Sequence, residues 1–192
     1  MTRAMLVTVL YSMEGKPATG NVSPFSDVKS TAWYASPIIW AADKNIVGGI
    51  GDGKFAPNAL ITRQQVAAIL FKYAIYKGKA TDRVDLSSLS RYSDQKQIAD
   101  YARPAMAWAV NVGLMNGVTS TTLQPQGTCP RAQCATMMVG FDRVINTPTP
   151  TAAPTQSPSP SPATEPADSE APDESSQPAE NDAPAPSEAP AE

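Results

Sequence analysis

Residues 33–70, WYASPIIWAADKNIVGGIGDGKFAPNALITRQQVAAIL, align without a gap on residues 101–138, YARPAMAWAVNVGLMNGVTSTTLQPQGTCPRAQCATMM, at a constant offset of 68. Trp40 falls on Trp108, Ala41 on Ala109, Gly49 on Gly117, Pro57 on Pro125, Arg63 on Arg131 and Gln65 on Gln133. One residue of slippage just before brings Phe25-Ser26-Asp27 onto Tyr92-Ser93-Asp94. Thr2-Arg3-Ala4-Met5 matches Thr62-Arg63-Gln64-Gln65 at an offset of 60, which makes it the back end of a third copy. Two whole repeats and half of another follow one another along the chain.

Each whole copy reads as helix, turn-rich loop, helix. The first helix is expected near Ser36–Asn45 and its partner near Arg103–Val112, with Ile38, Ile39, Ala42 and Ile46 as the apolar stripe. Gly48-Gly49-Ile50-Gly51-Asp52-Gly53 ends that helix, because glycine reaches the backbone angles a sharp exit needs. The second helix opens at Thr62-Arg63-Gln64-Gln65, a capping-box pattern. Its stripe is Val66, Ile69, Leu70 and Tyr73, repeated as Cys134, Met137, Met138 and Phe141, and before that as Leu6, Val9, Leu10 and Met13. Three helices with one stripe each bury those stripes against one another. The expectation is an all-α fold, a pseudo-threefold three-helix bundle with the shorter helices and loops around it.

Composition divides the chain. Thr147 to Glu192 holds 12 of the 19 prolines, 9 of the 18 acids and no Lys, Arg or aromatic residue. Residues 1–146 carry 15 basic and 9 acidic side chains, a net of +6 against −9 for the tail. The expected organisation is a first partial repeat at 1–20, whole repeats at 21–80 and 88–146, and a disordered, extended Pro/Ala/Ser/Glu-rich spacer at 147–192. With no histidine, Ser-His-Asp and Cys-His catalysis and His-ligated zinc are excluded. The longest apolar run is far shorter than the ~20 residues that cross a bilayer, so no membrane partner is expected. Met1-Thr2-Arg3 and the apolar residues behind it lack a cleavage motif, so this stretch is read as amphipathic helix rather than export signal.

Phe25-Ser26-Asp27, Trp33-Tyr34-Ala35, Trp40-Ala41, Ile46 and Gly49, Asp52-Gly53, Phe55, Pro57 and Ile61-Thr62-Arg63-Gln64-Gln65, taken in order, resemble an S-layer homology motif. The second copy is similar, with Pro130-Arg131-Ala132-Gln133 at the box. The resemblance covers about Thr2 to Ile145. It implies non-covalent anchoring to a secondary cell-wall polysaccharide, often pyruvylated, at the surface or S-layer of a Gram-positive-type bacterium. It also implies that the box arginine serves a groove between neighbouring motifs, a role that falls on Arg3, Arg63 and Arg131. The facing walls would be Gly49–Phe55 and Gly117–Leu123, which puts Gly49, Asp52, Gly53 and Gly117 in the site. Thr62 and the aromatic Trp33 complete the set. The box departs from the family pattern at Met5, Gln65, Gln133 and Pro130, and the front half of the first motif is absent. One groove should therefore lack a wall, and the Arg63 groove is favoured over the other two.

The residue chemistry is compatible with that implication. An anionic glycan is held by guanidinium forks and by backbone N–H groups at helix N-termini. A cation at a helix N-terminus opposes the helix dipole, so an arginine there in all three copies asks for a reason. The competing reading is a solvated arginine that packs its stem.

Other patterns weigh toward structure. Gly51-Asp52-Gly53-Lys54 offers one carboxylate, Asp52, where a calcium loop needs several, and reads as a turn; no metal is expected. Asp27 and Asp94 read as capping or turn residues rather than an acid/base pair, and no catalytic residue or cofactor is expected. Trp40 and Trp108 read as core. Cys129 and Cys134 sit at apolar repeat positions and, read as five apart on one helix, point away from each other, so buried free thiols are expected rather than a disulfide. The basic charge is spread without a cluster, which disfavours nucleic acid. The leading expectation is a non-catalytic anchoring module. The alternatives are the anchoring part of a larger glycan-active surface enzyme, and a self-assembling structural protein that binds no glycan. An apolar stripe left bare by the missing half-motif favours self-association.

Overall fold

The computed structural model describes residues 1–146, and the expected spacer at 147–192 lies outside them. The described part is all-α, with α1 (Arg3–Met13), α2 (Ala35–Asp43), α3 (Arg63–Tyr76), α4 (Arg103–Asn111) and α5 (Arg131–Asn146). Short 3-10 turns at Ser87–Leu89, Gln95–Gln97 and Asp100–Ala102 precede α4. Among the described residues β-structure is confined to isolated bridges. No helix among them is long and apolar enough to cross a membrane.

The long helices begin as their boxes dictate. Thr2 Oγ1 accepts from Met5 N at 3.3 Å, and Thr62 forms the full reciprocal box, its Oγ1 accepting from Gln65 N and its own N–H donating to Gln65 Oε1 at 3.2 Å. The next two amides are satisfied by the following copy. Arg3 N and Ala4 N donate to Ala59 O and Pro57 O at 3.1 and 3.0 Å. Arg63 N and Gln64 N donate to Gly127 O and Pro125 O at 2.9 and 3.0 Å. The same four-residue geometry therefore recurs one copy on, pinned by the Thr2–Leu60 and Thr62–Thr128 bridges. Each copy's turn caps the helix of the copy before it, which is why no copy closes its own hydrogen bonds.

Leu6, Leu10, Val66, Leu70, Tyr73, Cys134 and Phe141 are buried as the stripes require. Toward their C-terminal ends the long helices meet through Tyr73. Its ring lies 5.6 Å from that of Phe141, and its hydroxyl donates to Glu14, which Lys77 Nζ also engages at 2.9 Å. Burial, followed by the hydrogen bond to Glu14, pushes the Tyr73 phenol pKa up. Trp40 and Trp108 are core residues, as expected.

The exit of α2 differs from expectation: the helix ends at Asp43 and Asn45, ahead of the glycine run, takes the positive φ. Two further expectations fail. Val9 and Met13, placed in the buried stripe of α1, are 38% and 39% exposed. Val9's repeat partners, Ile69 and Met137, are buried and lie beneath the glycine loops of their own copies. Among the described residues no equivalent loop stands over Val9. Second, Cys129 and Cys134 do not share a helix. The Thr62–Thr128 bridge and the Cys129 N–H bond to Ile61 O at 2.8 Å keep Cys129 extended, outside α5. Its side chain turns back over the first turn, and the two buried, unbonded sulfurs face each other 2.9 Å apart.

Candidate functional site

The box arginines of the first two long helices are buried, each only 5% exposed. Arg3 Nε donates to Phe55 O at 2.9 Å and its Nη2 to Gly48 O at 3.1 Å. Arg63 repeats the arrangement, with Nε donating to Leu123 O and Nη2 to Asn116 O, both at 2.8 Å. One guanidinium thus ties together the two ends of each glycine loop. Arg3 also lies over the Phe55 ring, 4.5 Å from its centroid, a contact that Leu123 cannot offer Arg63. Burial holds both guanidinium pKa values below the ordinary one, and arginine stays charged throughout the physiological range. No carboxylate pairs with either among the described residues.

The loops themselves are held by the recurring aspartates. Asp27 accepts from Phe55 N and Ala56 N at 2.8 and 2.7 Å, and Asp94 accepts from Leu123 N and Gln124 N at 2.9 and 2.7 Å. At Asp27, burial raises the pKa but the two backbone donors outweigh it and hold the carboxyl below its usual range. The turn role expected for both residues is what they perform. Gly49 and Gly117 have no room for a side chain: a Cβ would meet Lys54 O at 2.8 Å and Thr119 O at 2.1 Å. Gly51–Lys54 closes a tight turn through Lys54 N to Gly51 O at 2.9 Å, with Asp52 and Gly53 at positive φ.

Beside each buried arginine lies an open groove of about 340 Å³. The first is lined by Arg3, Gly48-Gly49-Ile50 and, on α3, Gln65, Ala68 and Ile69. The second is lined by Arg63, Leu114, Asn116-Gly117-Val118 and, on α5, Gln133, Thr136 and Met137. Apart from Leu114, each of these second-groove residues is the repeat partner of one in the first. Tyr101 adds a wall to the first groove only; Gln64, 4% exposed, reaches its hydroxyl through Nε2 at 3.4 Å while accepting from Ala99 N at 3.1 Å.

Known sequences place this arrangement. Residues 24–67 and 91–135 match the S-layer homology domain model. The chain belongs to the S-layer homology family. It is 37% identical over 118 residues to an amylopullulanase of Thermoanaerobacterium thermosulfurigenes, covering 61% of this chain and 6% of that protein. It is 30% identical over 143 residues to exoglucanase XynX of Acetivibrio thermocellus, covering 73% and 13%. It is 26% identical over 136 residues to the cellulosome-anchoring protein of the same species, covering 70% and 30%. The chain thus spans a small part of these relatives.

Against this S-layer homology frame, the structure gathers Arg3 with Gly49, and Arg63 with Gly117. Thr62 is engaged in the α3 cap, and Asp52 and Gly53 lie in the exposed turn; none of the three lines a groove. Arg131 is exposed, with no facing loop among the described residues. Trp33, 61% exposed, lines neither groove, but it is the repeat partner of Tyr101. By that correspondence it is the counterpart of the Tyr101 wall. The backbone amides expected to receive an anion at the α1 and α3 N-termini are occupied by carbonyls of the next copy. The expectation of a solvated arginine fails at Arg3 and Arg63, which are buried, while Arg131 is exposed. The sequence reading missed Gln65, Ala68 and Ile69, and Gln133, Thr136 and Met137, which the helical spacing i, i+3, i+4 from the end of the box would have found.

Proposed function

We propose that the chain is a non-catalytic module that anchors a protein at a bacterial cell surface by binding an anionic secondary cell-wall polysaccharide in the Arg3 and Arg63 grooves. The observation carrying this reading is the pair of equivalent grooves, each with a buried arginine at its edge that makes no ion pair among the described residues. Nε and Nη2 donate to loop carbonyls, which leaves three guanidinium N–H bonds per arginine without a protein acceptor among the described residues. A carboxylate ketal is the kind of group that fits such a fork. The net charge of +6 over residues 1–146 draws a polyanion toward both grooves. Pyruvylation of the glycan, and Arg131 as a third, weaker contact, are finer parts of the same proposal. The named function of the cellulosome-anchoring relative points the same way.

The test is co-sedimentation of the full chain with purified cell walls, intact and stripped of polymer by hydrofluoric acid. Because the arginines also hold the loops, the grooves are better blocked than emptied: Ala68→Trp and Thr136→Trp fill them from the helix side. Binding should vanish on stripped walls, weaken with salt, and fall about tenfold or more for the double variant, the loss of one good contact or more. Full binding to stripped walls, or by the double variant, would overturn the glycan reading.

The matches to an amylopullulanase and an exoglucanase favour a second reading of the chain's context, in which this module holds a glycan-active protein at the wall. Exposed Val9 and Trp33 favour self-association. Sedimentation equilibrium of the wild type beside Val9→Ser would detect it.

A further inference from the structure

Cys129 and Cys134 are the only cysteines of the chain, and each is 1% exposed. The same two positions in the preceding copy are Ile61 and Val66, both buried. Hydrocarbon therefore meets the packing need there, and only in the last copy do two sulfurs replace it together. They face each other 2.9 Å apart, with the Cys134 thiol donating to Cys129. That bond, opposed by burial and helped by the nearby Arg63 guanidinium, holds the Cys129 thiol below the usual range. Cys134, the donor, is pushed up. A low-pKa thiol beside a resolving thiol is the arrangement in which disulfide exchange runs.

We propose that Cys129 and Cys134 are a redox site that closes to an intrachain disulfide, stapling the Thr128–Cys129 segment to the first turn of α5. The oxidant is a disulfide of low molecular weight or of an oxidoreductase. The Cys129 thiolate attacks one of its sulfurs, breaking that S–S bond and releasing one thiol. Cys134 then attacks the Cys129 sulfur of the mixed disulfide, forming the intrachain bond and releasing the second thiol. Two electrons pass to the oxidant, and the two protons leave with its thiols. The ring encloses Arg131 and Gln133, and its Cys129 end is tied to Ile61, next to Thr62 and Arg63. Closure stiffens the box segment on which the Arg63 groove is built. This proposal stands on the thiol geometry and does not need the anchoring reading.

The test equilibrates the full chain over a series of reduced-to-oxidised glutathione ratios, long enough for local opening to admit the oxidant to the buried sulfurs. Acid-quenched samples are then alkylated under denaturing conditions and weighed intact. Under oxidising ratios the chain should take up no alkyl group and no glutathione and weigh 2 Da less than the reduced chain. Its melting temperature should rise by about 5 °C over the reduced form, as closing a short loop predicts. The double variant Cys129→Ile, Cys134→Val, which installs the preceding copy's residues, should fold and show no redox dependence. Two alkylatable thiols at every ratio would overturn the proposal, as would stable glutathione adducts on both sulfurs. A disulfide form that melts below the reduced form would overturn it too.

Discussion

Arg63 and Arg131 occupy the same repeat position at the start of the same kind of helix, and their surroundings share almost nothing. Arg63 is buried and donates to Leu123 O and Asn116 O. Arg131 is exposed, and among the described residues no loop faces it. The difference shows that in this architecture a residue's role is set by the neighbouring copy. The same arginine at the same place in the box is a buried clamp where a loop of the next copy faces it and an exposed cation where none does. The helix dipole does not decide the matter, since the same dipole acts at both positions.

Removing the two side chains is the strongest way to break that contrast. Arg63→Ala leaves two loop carbonyls without donors and empties a buried volume, a loss expected to cost about 3 kcal/mol. Arg131→Ala should change stability by less than about 0.5 kcal/mol, the range for exposed substitutions. Urea unfolding followed by circular dichroism measures both. Equal effects would mean that the clamp contributes little and that the arginines are kept for a ligand alone.

The second contrast lies one turn along the groove, at Ile69 and Val9. Ile69 is buried beneath the Gly48–Ile50 loop, whereas Val9 is 38% exposed. Ile69→Ala should cost about 2–3 kcal/mol, while Val9→Ala should cost well under 1 kcal/mol. A monomer in which Val9→Ala is as costly as Ile69→Ala would show that a segment covers Val9 after all. A cost at Val9 that grows with protein concentration would instead locate a self-association surface.

The same contrasts explain what the sequence allowed one to read. The offset of 68 exposed the helices, the Thr62–Gln65 cap, the buried tryptophans and the loop glycines, because each is a local rule repeated in register. Asp27 and Asp94 were legible as turn residues by the same recurrence. What escaped was everything a copy receives from its neighbour. The burial of Arg3 and Arg63, the carbonyls that fill the α1 and α3 N-termini, and the Tyr101 wall held by Gln64 all cross a copy boundary. Cys129 was misread for a related reason: its backbone is set by a bridge to Thr62, which a helix-period reading cannot see. Gln64 left no repeat signal, since its partners Ala4 and Ala132 are small and apolar.

The smallest effect, and the one that isolates the loops, is the response to acid. Asp27 accepts two backbone N–H bonds and its pKa is held below the ordinary 3.8. A carboxyl depressed in the folded state contributes stability that is present above its unfolded value and is lost as pH falls through the folded one. The first loop should therefore weaken only at pH values under about 4, where protonation turns an acceptor for two amides into a poorer one. Asp27→Asn should lower the melting temperature at pH 7 and flatten its fall between pH 4 and pH 2, because the amide keeps one acceptor oxygen and does not titrate. Melting curves of wild type and variant across that window test the link. If the two curves fall in parallel, the acid sensitivity resides elsewhere, and the carboxylate of Glu14, which burial raises but Tyr73 and Lys77 together hold down, becomes the group to replace next.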